Sequence, residues 1–111
     1  MSNENARARI YWLQLEVDAM ENPPSLNDND LMRFEGVYGP RRVKLRDGIL
    51  YYSREGLDQP ERMLMPLTSA VFVLGGSTDW RFRFEFDRDG DVIAIEGISV
   101  FGPVDRHERM E

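Results

Sequence analysis

The segment Trp80-Arg81-Phe82-Arg83-Phe84-Glu85-Phe86 alternates strictly between aromatic and charged side chains. Strand side chains point to opposite faces with a period of two, so this segment predicts a strand with one face in a core and the other in water. Val43 and Leu45 alternate in the same way with Arg42, Lys44 and Arg46, and Asp47-Gly48 and Ile49-Leu50-Tyr51-Tyr52 follow. An Asp-Gly pair between two such segments predicts a tight hairpin, because glycine accepts the positive φ of a primed turn. Asp89-Gly90 predicts a second hairpin, between residues 80–86 and 92–95. Residues 63–67 and 71–74 read as short strands around a turn containing Pro66, Thr68 and Ser69. Gly75-Gly76 breaks the chain before Trp80, and strands at 98–101 and 105–109 close the pattern on either side of Gly102-Pro103.

Before residue 34 the period changes to that of a helix. Residues 4–20 predict one, capped by Ser2 or Asn3 and stopped by Asn22-Pro23-Pro24. Ala6, Ile10, Leu13, Val17 and Met20 form one apolar stripe, and Ala8, Trp12, Leu15 and Ala19 form another. At about 100° per residue the two stripes lie on roughly opposite sides of the helix. A helix that only covered its own barrel would need one apolar face. The expectation is therefore that the first stripe rests on the barrel. The second (Ala8, Trp12, Leu15, Ala19) is then presented to a second copy or another protein partner, with Trp12 as anchor. The competing arrangement buries both stripes within the monomer, between the barrel and residues 22–34. Residues 22–30 form a polar connector whose Asn27-Asp28-Asn29-Asp30 suits the first turn of a short helix. Leu31 and Phe34 anchor its exit.

These elements add up to a mainly β single domain over 1–111. A helix at about 4–20 and a connector at 22–33 precede a small antiparallel meander barrel of about seven or eight strands over 34–109. An eight-stranded barrel has an interior about wide enough for side chains to fill. Phe34, Phe72, Trp80, Phe82, Phe84 and Phe86 are the candidates to fill it.

At 111 residues the chain supports one core. Its 41% hydrophobic and 31% charged residues place it among globular rather than disordered chains. A net charge of -6 argues against nucleic acid and against anionic membrane surfaces, both of which reward basic patches. No cysteine is present, which excludes disulfides, thiolate metal sites and cysteine nucleophiles. Glu4, Arg7 and Arg9 interrupt the N-terminus, and no segment is long and apolar enough for a membrane helix. As it stands the sequence reads as cytoplasmic, and as periplasmic if a leader has been trimmed. Lys44 is the only lysine; with so much arginine, cross-strand Arg–Glu and Arg–Asp pairs are expected on a solvated sheet face.

The run Leu31-Met32-Arg33-Phe34-Glu35-Gly36-Val37-Tyr38-Gly39-Pro40-Arg41-Arg42-Val43, followed by Asp47-Gly48-Ile49-Leu50-Tyr51-Tyr52-Ser53-Arg54, resembles the C-terminal extension of tail-specific (C-terminal processing) serine peptidases. Similar segments occur in small lipocalin-like barrels appended to other bacterial hydrolases. The likeness continues through Met65-Pro66-Leu67, Phe72-Val73-Leu74-Gly75, Arg83-Phe84-Glu85-Phe86, Asp89-Gly90 and Arg106-His107-Glu108-Arg109, and so covers roughly residues 12 to 109. It implies a barrel in an accessory role in exported proteins. The catalytic serine and lysine of those peptidases lie in a separate upstream domain, so the resemblance carries over no catalytic residue.

The candidate chemistry is sparse. His107 is the only histidine, and Ser53, Ser69, Ser77 and Ser99 lack a nucleophile-elbow context. Asp87, Asp89 and Asp91 surround Gly90 but miss the spacing of a calcium loop. Tyr38, Tyr51 and Tyr52 with Arg41, Arg42 and Arg54 form an aromatic-basic set, which more often braces a sheet than binds single strands. The six methionines offer adaptable apolar lining. The expected function is thus that of a noncatalytic interaction domain needing no metal or cofactor, with a small apolar-ligand-binding, lipocalin-like barrel as the alternative and a detached accessory part of a peptidase as the second alternative.

Overall fold

Asp47 and Gly48 both take positive φ, 51° and 79°, as a tight primed turn requires. The turn sets Leu45 opposite Leu50 and Arg46 opposite Ile49. Such local hairpin chemistry builds most of the molecule. The computed structural model describes residues 3–56, 60–75 and 80–110, with side chains from Arg9 onward. The elements are α1 (Asn3–Glu21), α2 (Asp28–Met32), β1 (Gly36–Tyr38), β2 (Arg41–Arg46), β3 (Ile49–Arg54), β4 (Arg62–Pro66), β5 (Val71–Leu74), β6 (Arg81–Phe86), β7 (Val92–Ser99) and β8 (Gly102–Met110). Each strand pairs antiparallel with the next, and β1 also pairs with β8, so eight strands close into a meander barrel. Closure leaves no open edge to template unwanted pairing.

Aromatic packing fills the interior. Phe34, Phe72, Phe82 and Phe84 are buried, and Phe34 lies 5.0 Å from Phe72 and 4.7 Å from Phe84, centroid to centroid. Trp80 is half-buried and meets Phe82 edge-on. Phe86 differs from the interior expectation, being 37% exposed. A register shift between Glu85 and Phe86 breaks the alternation there and leaves the ring on the rim, against Phe34.

α2 closes that rim. Asn27 and Asp30 form a reciprocal capping box, and Leu31 and Phe34 enter the core. The Tyr38 hydroxyl donates to the Phe34 carbonyl at 2.7 Å. Burial pushes the Tyr38 phenol up to about 12, with the Arg109 charge acting weakly the other way. Because the folded value lies above the ordinary phenol value of 10.0, this stabilisation is intact below pH 10 and is lost as pH rises toward about 12. Tyr38→Phe is therefore expected to flatten that alkaline limb of a pH–stability curve measured by urea unfolding. An unchanged limb would assign alkaline unfolding to another group.

β7 departs from the sequence reading. The strands read at 92–95 and 98–101, which leave a gap at Glu96-Gly97, are one: β7 runs from Val92 to Ser99, and β8 starts at Gly102. Gly97 is a close-approach glycine rather than a turn. A Cβ there would meet Asp105 Oδ1 at 2.6 Å and Trp80 at 2.7 Å. Gly97→Ala is expected to cost about 1–3 kcal/mol by overpacking, read from the denaturation midpoint; a neutral result would show that the neighbours yield freely.

Candidate functional site

α1 lies the other way round from the expectation. Trp12 is 8% exposed and faces the barrel, with Leu15 and Ala19 half-buried on the same side. The side chain of Ala8 lies outside the described residues. The other stripe faces outward: Ile10 is 64% exposed, Leu13 46%, Val17 44% and Met20 82%. The proposed interface stripe of Trp12, Leu15 and Ala19 is therefore the one that covers the barrel.

The cause is Arg81. It begins the aromatic–charged strand β6 on the outer face, and its guanidinium carbon sits 3.7 Å from the centroid of the Trp12 ring. It donates to the Trp12 carbonyl at 2.5 Å and pairs with Glu16 at 3.3 Å. A desolvated cation prefers an indole face to an aliphatic one, so this contact selects the Trp12 stripe over the Ile10 stripe. Burial pulls the Arg81 guanidinium below its ordinary value, outweighing the hydrogen bond and charge of Glu16. Arg81 Nε has no hydrogen-bond partner and is buried.

An apolar cleft of about 620 Å³ opens beside this anchor, lined by outer-face groups together with the core residues Leu31, Leu50, Leu64 and Leu74. Its walls include Ala19 and Met20 of α1, Pro23 and Pro24 of the connector, and Met63 and Met65 of β4. Met63 and Met65 occupy the outer face of β4, where they are 42% and 51% exposed, while Leu64 between them is buried. Elsewhere the outer face carries charge, paired across strands as Arg83 with Glu96, Arg106 with Glu85 and Arg46 with Glu61, interspersed with exposed Val37, Ile93 and Val104.

At the barrel end opposite α2, Arg41 lies inside, 1% exposed. It makes two bonds of 2.7 Å to Asp105 and a third, at 3.3 Å, to the Tyr52 hydroxyl, and it sits 5.0 Å from the Phe82 ring centroid. Asp105 also accepts from the Gly97 N–H. Burial pushes the Asp105 carboxyl up, but the hydrogen bonds and charge of Arg41 prevail and hold it below the usual carboxylate value. For Arg41 too, burial opposes the charge and bonding to Asp105 and Tyr52 wins, holding the guanidinium above its ordinary value.

The remaining candidates are dispersed or committed to structure. His107 Nε2 is 3.9 Å from Asp105. The Ser99 hydroxyl bonds locally to Gly102 and Phe101, and Ser77 lies outside the described residues. The Asp87 carboxylate accepts the N–H groups of Asp89 and Asp91 within its own turn. Among the described residues no group of three or more histidine, aspartate or glutamate side chains could hold a metal ion. Tyr38, Tyr52 and Arg41 point inward while Arg46 stacks on Tyr51 outside, so the tyrosine–arginine set is split between two faces. Among the described residues no helix is long and apolar enough to cross a membrane. No known protein family, curated protein or solved structure matches the chain.

Sequence reading missed Arg41 and Arg81. Parity with Val43 places Arg41 inside, and that signal was legible in the sequence. Nothing in the sequence shows that α1 covers Arg81, because its alternation marks only an outer face.

Proposed function

We propose that this domain is a noncatalytic interaction module that self-associates through the outward stripe of α1, Ile10, Leu13, Val17 and Met20. The observation that carries this is the exposure of that stripe on a helix already anchored by its other face. Ile10 and Val17, and likewise Leu13 and Met20, are seven residues apart. That is the alternating three-and-four spacing of a two-helix seam.

Charge selects the occupant and its direction. The first half of α1 carries Arg7 and Arg9 beside Glu4, and the second half carries Asp18 and Glu21, apart from the barrel-paired Glu16. A second copy running antiparallel lays the basic half of each helix along the acidic half of the other and opposes the two helix dipoles. In that register Ile10 meets Met20 of the other copy and Leu13 meets its Val17. The resemblance to the barrel extensions of tail-specific peptidases supports an accessory role of this kind, attached to or working beside a larger bacterial hydrolase.

Since the chain has no cysteine, orientation is directly testable. A Leu13→Cys chain mixed with a Val17→Cys chain under mild oxidation is expected to form the mixed disulfide in preference to either symmetric one. Predominantly symmetric products would reject the antiparallel arrangement, and failure to cross-link at all would reject self-association through this face.

A further inference from the structure

We propose that the cleft between α1, the connector and strands β3–β5 is a binding site for a small, uncharged, hydrophobic molecule. The cleft is lined both by α1, the connector and the outer face of β4 and by the core residues Leu31, Leu50, Leu64 and Leu74. About 620 Å³ falls within the range of small-molecule pockets, roughly 300–1,000 Å³.

Three features define the ligand class. First, the walls lack donors where they matter. Pro23, Pro24 and Pro66 all line the cleft, and proline has no backbone N–H. The consecutive pair also stiffens the connector, so this wall is largely formed before any ligand arrives. Second, the polar groups present are already engaged. Glu16 is the only charged side chain among the described lining residues, and it pairs with Arg81. The Gly75 N–H donates to the Met63 carbonyl, and its own carbonyl accepts twice from Arg62. No lysine, arginine or histidine among the described residues lines the cleft to hold an acidic head group, so a carboxylate or phosphate buried there would be unpaired. Third, Met63 and Met65 place two exposed, flexible thioethers side by side on the outer face of β4, where they supply lining that adapts to ligand shape. Recognition rests on apolar area and fit.

The cleft lies on the barrel side of α1, and the self-association stripe lies on the other side. The two proposals therefore fail independently when tested away from Met20, which borders both. The test titrates the full chain with phenylnaphthylamine, an uncharged fluorescent probe, and in parallel with its anionic sulfonated analogue. Saturable enhancement by the neutral probe is expected, one site per chain, with binding weakened at least about tenfold in Met63→Glu and in Met65→Glu. Both side chains are substantially exposed, so each variant is expected to keep the fold, and circular dichroism selects the folded variant for the comparison. Val17→Glu is expected to bind the probe as wild type does. The proposal is overturned by an absence of saturable binding or by equal binding in a folded Met63→Glu or Met65→Glu chain. It is also overturned if the anionic analogue binds as tightly as the neutral probe, or if Val17→Glu abolishes binding, which would place the probe between copies.

Discussion

Asp105→Ala is expected to destabilise the domain by about 3 kcal/mol, the lower end of the usual cost of stranding one partner of a buried ion pair, because Arg41 is buried while Asp105 is 31% exposed. Arg41 is 1% exposed and spends two of its three described side-chain hydrogen bonds on Asp105. Without that carboxylate its charge faces the Phe82 ring and the Tyr52 hydroxyl alone. A loss of that size is a large share of the 5–15 kcal/mol that typical domains possess. The same pair gives an acid limb. Asp105 titrates below its ordinary value in the folded state, so its contribution is complete above the unfolded carboxylate value and disappears as pH falls through the lower, folded one. Urea midpoints across this acid range should converge for wild type and Asp105→Ala as the pH drops. A variant within about 1 kcal/mol of wild type at neutral pH would mean that water replaces the lost carboxylate and the pair is dispensable.

The second large effect is local. Trp12→Ala is expected to release α1 while the barrel stays folded. Large aromatic truncations at buried sites cost about 3–5 kcal/mol. Here the loss falls on a helix whose contacts with the barrel centre on Trp12 and Arg81, through an aromatic–cation contact, a hydrogen bond and the Glu16 ion pair. Segments with few buried contacts open separately from the core. Hydrogen exchange should therefore show α1 amides losing protection in Trp12→Ala and in Arg81→Ala, with β6 and β7 amides unchanged. Arg81→Leu should cost less than Arg81→Ala, because it fills the space without burying a charge whose Nε is unpartnered. Loss of barrel protection together with α1 would instead make the helix an integral part of the core.

The strands were legible in the sequence because their signals are local. Asp47-Gly48 and Asp89-Gly90 fix two hairpins through backbone conformation, and the alternation over residues 80–86 fixes which rings enter the core. Phe86 escaped that rule because a register shift, invisible in composition, ends the alternation one residue early. Gly97 read as a break because glycine serves both turns and close approaches, and only the position of Asp105 and Trp80 distinguishes them. The orientation of α1 was the least legible feature. Two apolar stripes of similar strength leave the choice to tertiary contacts, and Arg81, which makes several of them, is 69 residues from Trp12 in sequence. The cleft was equally hidden, since Met63 and Met65 reveal an apolar outer face only once strand parity is known.

The most direct test of the central claim is the solution mass by light scattering over a concentration series, for the wild-type chain and for Val17→Glu. The outward stripe predicts that the wild type moves from monomer toward dimer as concentration rises, while Val17→Glu stays a folded monomer throughout. A wild-type chain that remains monomeric at every concentration, or a Val17→Glu chain that dimerises as readily, would contradict it.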